Sequence, residues 1–92
     1  MPNVVVARVC FHRRDDPNNE FRELSLCQTD RDDFAVWEVA GQLDSPDPLP
    51  IKCRKQLSRG AEPRMRNLLK LEMKRLTEEG FTITDSSRDV VE

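Results

Sequence analysis

The stretch IKCRKQLSRGAEPRMRNLLKLEMKRLTEEG, Ile51 to Gly80, decides the fold, because it holds one well-punctuated helix and most of the positive charge of the chain. Pro63 suits the first helical position, where a missing N–H goes unnoticed, and Gly80 suits the left-handed position just past the end. Between them Met65, Leu68, Leu69, Met73 and Leu76 recur at three- and four-residue steps, which predicts a single apolar stripe facing a sheet. Leu69 and Leu76 are expected among the deepest residues. Arg66, Lys70 and Lys74, each four apart, form a basic ridge along one flank, with Arg64 and Arg75 on the other side near Leu71. Glu72 falls inside the apolar stripe, where it must snorkel to solvent, meet a cation such as Arg8, or serve an interface.

Working outward, the flanking chain reads as strands. Val4 to His12 is nearly continuous and β-branched: Val5, Ala7, Val9 and Phe11 make one face, and Val4, Val6 and Cys10 the other. This predicts a central or well-covered strand, buried on both sides in its first half. RRDDPNN, Arg13 to Asn19, clusters turn formers around Pro17 and reads as a polar loop. Phe21 to Thr29 alternates Leu24 and Leu26 against Glu23, Ser25 and Cys27, the pattern of a half-exposed strand. After the turn at Asp30–Asp33, Phe34 to Leu43 continues an antiparallel meander, with Ala35, Trp37 and Val39 expected inward and Phe34 and Val36 opposite.

The expected class is therefore α+β: an antiparallel sheet of three to five strands with one principal amphipathic helix packed on one face. Ninety-two residues allow a single domain with one modest core. Its parts are strands over 1–43, a proline-rich loop over 44–50, a basic lead-in and main helix over 51–80, a short strand over 81–84 (FTIT) and a polar tail over 85–92, in which Val90 and Val91 could dock. Ile51 to Ser58 fits a strand with Ile51, Cys53 and Leu57 inward, but Lys55 breaks the alternation. A short helix pairing Cys53 with Leu57 fits equally.

Chemistry-bearing residues are few. Cys10, His12, Cys27 and Cys53 are of the types zinc favours, yet the cysteines lie 17 and 26 residues apart, unlike the tight pairs of structural zinc sites. Buried reduced thiols are expected instead, and neither a metal nor a cofactor. His12 is the single histidine, at the end of its strand, and shares a strand face with Cys10. A cysteine–histidine pair there is a weak lead beside a solvent-facing histidine. Asp15–Asp16, Asp32–Asp33 and Glu78–Glu79 sit in loops or at a helix end and do not resemble acid–base machinery. The three glycines stand apart, so no phosphate-cradling loop exists. No catalytic residue and no small-molecule substrate are expected.

The charge distribution is more informative. Residues 1–50 hold five Arg against ten Asp or Glu, a net of −5. Residues 51–76 hold nine Lys or Arg against Glu62 and Glu72, a net of +7, and residues 77–92 return to −4 with one Arg against five acids. One positive face within a negative surface can steer a protein onto a polyanion or an acidic protein patch. The candidate partner-binding residues are Lys52, Arg54, Lys55, Arg59, Arg64, Arg66, Lys70 and Lys74. Arg66, Lys70 and Lys74 rise about 6 Å per step, close to nucleic-acid phosphate spacing. Phe34 and Trp37 are the only candidate stacking platforms, and both suit a core equally well. No run approaches the ~18 apolar residues a bilayer needs, and MPNVVVARVC lacks the features of an export signal, which predicts a cytoplasmic chain with no membrane partner.

The opening MPNVVVARVCFHRRDD, the acidic sheet region and the Arg/Lys-rich closing helix together resemble the small phage-encoded anti-CRISPR proteins directed at the type I-F surveillance complex. That group shares no signature motif, so the resemblance lies in overall character and assigns no residue. It implies a non-enzymatic inhibitor, acting in the bacterial cytoplasm, that docks on a Cas protein–guide RNA complex and blocks target DNA hybridisation. From the residues alone, a small autonomous nucleic-acid-binding domain and a protein-only interaction subunit remain alternatives.

Overall fold

The computed structural model describes residues 4–14, 19–43 and 51–86, except the side chains of Ile51 and Lys52. In chain order the elements are β1 (Val4–Arg13), β2 (Glu20–Asp30), β3 (Asp33–Gln42), β4 (Ile51–Gly60), α1 (Glu62–Glu78) and β5 (Thr82–Ser86). The strands form one antiparallel sheet in the order β4-β3-β2-β1-β5, with α1 packed on one face. The α+β class and the β1–β2–β3 meander are as the sequence predicts.

The order of the strands dictates where the helix runs. β4 and β5 are consecutive strands on opposite edges, so α1 must carry the chain across the three strands between them. Four inter-strand steps span about 19 Å, and a 17-residue helix is about 25 Å long, enough to cross the sheet once. On the way its inner stripe, Met65, Leu69 and Leu76, meets Ala7, Val9 and Phe11 of β1, Leu24 and Leu26 of β2, and Phe34 and Val36 of β3. Leu69 is 3% exposed and Leu76 fully buried, as the periodicity requires.

The end of α1 is fixed by its own backbone. The Phe81 N–H donates to the Leu76 carbonyl (3.0 Å) and the Gly80 N–H to that of Thr77 (3.1 Å), with Gly80 at φ +97°. This is the Schellman arrangement, and the apolar contact that accompanies it is supplied by Leu76 and Phe81, both in the core. At the other end the helix begins one residue earlier than Pro63 predicts. Ala61 is the N-cap, without a side-chain bond, and Pro63 sits in the second position.

Several expectations are corrected. On β3 the faces are exchanged: Phe34 and Val36 lie under the helix, while Ala35, Trp37 and Val39 are on the far face. Both faces of β3 are apolar, so alternation alone does not choose between them. The pairing of Val36 with Leu26 does. β1 is covered by a strand on each side, β2 and β5, but Val4 and Val5 at its start are each 57% exposed, and a bulge between Val5 and Ala7 re-aims the strand before its buried half begins. β2 is buried on both faces in its middle, from Leu24 to Cys27, because it lies in the interior of the sheet.

Ile51–Gly60 is a strand, not a helix. Lys55 breaks the alternation because it takes the helix side of the strand opposite the Glu38 carboxylate, and a register shift follows it at Leu57. Leu57 packs on the core while Cys53 is exposed, contrary to the inward placement read from the pattern. β5 begins at Thr82 rather than Phe81 and includes Asp85 and Ser86, placed in the tail by the sequence. Pro17, the whole 44–50 loop, Val90 and Val91 lie outside the described residues.

Candidate functional site

The structure divides the eight candidate cations into separate groups. On α1, Arg64, Lys70 and Lys74 are exposed on the side away from the sheet, together with Asn67 and Leu71, which is 56% exposed. Arg66 is half-buried and engaged with Glu62 one turn earlier, at 2.9 Å from both Nε and Nη2. On β4, Arg54 pairs in register with Val39 and Arg59 with Ala35, which places both on the far face of the sheet. Arg59 bonds the carboxylate of Asp33. Lys55 stands opposite Glu38 on the helix side, its ammonium 3.6 Å from that carboxylate. Lys52 lies in β4 and its side chain is outside the described residues.

Glu38 is the residue the sequence reading missed. It is 6% exposed on the helix-covered face of β3 and accepts a hydrogen bond from Arg75 Nη2 at 2.8 Å, with Lys55 nearby. Arg75 also bonds Glu72 at 3.0 Å and Glu79 at 2.6 Å, so one guanidinium joins helix to sheet. These carboxylates, the hydrogen bond to Glu72 foremost, raise the Arg75 pKa further above its ordinary value. Glu72 is thus held by Arg75, not by Arg8. The signal was present in FAVWEVAGQL, where Glu38 is the single charge in an apolar run and a buried carboxylate requires a cation.

A second arginine cluster locks the end of the helix. Arg13 bonds Glu20 and donates to the Glu79 carbonyl at 3.0 Å, and its guanidinium lies 4.7 Å from the centroid of Phe81. Arg22 lies 5.0 Å from the same centroid. The hydrogen bond from Arg13, with the charges of both arginines, holds the Glu20 carboxyl below its ordinary value. Asp33 is likewise lowered, first by the Thr29 hydroxyl and then by Arg59.

The cysteines do not form the buried set the sequence predicts. Cys27 is buried, Cys10 half-buried and Cys53 exposed, and all three are free. Burial, reinforced by Glu23, pushes the Cys10 and Cys27 thiols up, the opposite of an activated nucleophile. His12 is half-buried near the end of β1. Among the described residues, no three His, Cys, Asp or Glu side chains converge as a metal site would need. No helix among them is long and apolar enough to cross a membrane.

Shallow depressions lie among the described residues. One, of about 430 Å³, lies between the β2–β3 turn and the start of α1, around Arg31, Phe34 and Pro63. Another, of about 320 Å³, lies on the far face among Val5, Glu23, Ser25, Trp37, Val39 and Arg54. Phe34 is 6% exposed beneath the helix and is a core residue, whereas Trp37 is half-buried and accessible from the far face. No protein-family model, curated protein or solved structure matches this chain.

Proposed function

We propose that the chain is a non-enzymatic binding protein, and that it inhibits a CRISPR surveillance complex by docking on its Cas protein–guide RNA surface and blocking target DNA hybridisation. The observation that carries the binding reading is the outer side of α1, where Arg64, Lys70 and Lys74 stand exposed within the +7 segment. Such a surface is drawn to RNA phosphates or to acidic Cas residues, while the negative remainder of the chain opposes indiscriminate contact. The choice of this partner rests on the resemblance of the chain to type I-F inhibitors.

Direct nucleic-acid binding is the second reading. It is favoured by the exposure of Lys70 and Lys74 one turn apart on the same helix.

Binding of the chain to a purified type I-F complex, to free guide RNA and to duplex DNA, each at low and physiological salt, separates the two readings. An inhibitor of the complex binds the complex tightly and free nucleic acid weakly. Tight, steeply salt-dependent binding to free nucleic acid favours the autonomous domain, and binding to none of the three overturns both.

A further inference from the structure

The two edges of the sheet differ. β5 is five residues long and ends in Asp85 and Ser86, whereas β4 is ten residues long and contains no acid. In an antiparallel ladder, alternate residues of an edge strand turn their N–H and C=O groups away from the neighbouring strand. Cys53, Arg54, Lys55 and Gln56 are four consecutive exposed residues, so none of the described residues overhangs the middle of this edge. They pair in unbroken register with Ala40, Val39, Glu38 and Trp37, and register shifts occur only on either side of them. The segment is therefore a regular, accessible strand template.

Its charge selects the occupant. Of the described β4 cations, Lys55 and Arg59 are paired with Glu38 and Asp33, while Arg54 stands exposed on the far face in the middle of the edge. A second copy of the chain paired antiparallel through β4 would set these cations against one another, and like charges opposite each other in a ladder are destabilising. An extended segment bearing Asp or Glu has the complementary charge, and its backbone can complete the outward hydrogen bonds. We propose that the outer edge of β4 receives an extended acidic segment of a partner protein as a sixth strand, in register with Cys53–Gln56 and with a carboxylate opposite Arg54. This rests on the reading of the basic segment as the partner-facing part of the molecule, and it names the contact on β4 as polypeptide, not RNA.

The test uses the full chain and a synthetic peptide of about ten residues alternating Glu with Val, together with the same peptide N-methylated at alternate residues. The unmodified peptide is expected to bind and to slow amide hydrogen exchange within Cys53–Gln56. N-methylation keeps every charge but removes the ladder donors, and should weaken binding by at least about tenfold, as should Arg54→Glu in a protein with unchanged melting. Lys74→Glu should leave peptide binding unchanged. Equal binding of both peptides, protection outside β4, or displacement of the peptide by polyuridylate bound along β4 overturns the proposal. A peptide that binds as expected while the surveillance complex does not would leave the edge site standing and remove the proposed partner.

Discussion

The inner and outer sides of α1 carry the same kinds of residue to different ends. On the inner side Met65, Leu69 and Leu76 are at most 3% exposed, and Arg75 reaches from beside them to the buried Glu38. On the outer side Leu71 and the cations Arg64, Lys70 and Lys74 face solvent. An arginine count therefore does not measure a binding surface. Arg75, Arg66, Arg13 and Arg22 are bound into the fold by Glu38, Glu62, Glu20 and Phe81, whereas Arg64, Lys70 and Lys74 lie exposed on the side of the helix away from the sheet.

The largest effect should come from the inner stripe. Leu69→Ala leaves a cavity between α1 and the sheet and is expected to lower stability by about 2–5 kcal/mol. A loss under about 1 kcal/mol in denaturant unfolding would mean that the helix does not seat on Leu69. Next comes the tie between helix and sheet. Arg75→Ala leaves the Glu38 carboxylate with Lys55 alone and should cost about 1–3 kcal/mol. The double variant Glu38→Gln, Arg75→Met should recover part of that loss, because it removes the unpaired charge; strictly additive losses would show that the two residues are not coupled.

Gly80→Ala should cost about 1–2 kcal/mol, since it forces a side chain into the positive-φ position that ends the helix. The nearest neighbour of an added Cβ, the Arg13 Cδ, stands at 3.5 Å, so the penalty is conformational and not a clash. Thermal unfolding compared with Thr77→Ala, which keeps the backbone cap, isolates it.

Acid provides a smaller effect. Glu20 has a folded-state pKa below its unfolded value, so its contribution to stability is present above the unfolded pKa and is lost as pH falls through the folded one. The melting temperature should fall on acidification through the carboxylate range, with a shallower slope in Glu20→Gln. An unchanged slope would show that the Arg13 contact does not stabilise the fold.

The same contrast explains what the sequence made legible. The helix, its glycine stop and its inner stripe follow from local periodicity and backbone conformation, and the structure keeps them. The choice between the faces of β3 was not legible, because Phe34 and Val36 are as apolar as Ala35 and Val39, and only pairing with Leu26 decides. Nor was the dispersal of the basic segment. Arg54 and Lys55 are neighbours in sequence, but a strand sends neighbours to opposite faces, and Glu38 sits where Lys55 arrives. Glu38 itself could be recognised as needing a cation, yet which one depends on a helix 37 residues away.

The central claim is that the outer side of α1 binds and the inner side folds. It is tested most directly by measuring, in one preparation of Lys70→Glu, Lys74→Glu, both the melting temperature and the affinity for the type I-F surveillance complex, with Asp32→Lys as the control. Asp32 is exposed, and it is preferred to Asp33, which is bonded to Thr29 and Arg59. The double reversal should abolish binding while leaving melting nearly unchanged, because exposed charges contribute little to stability. Full binding by the helix variant, with loss of binding in Asp32→Lys, would contradict the claim and place the contact on the acidic side of the molecule.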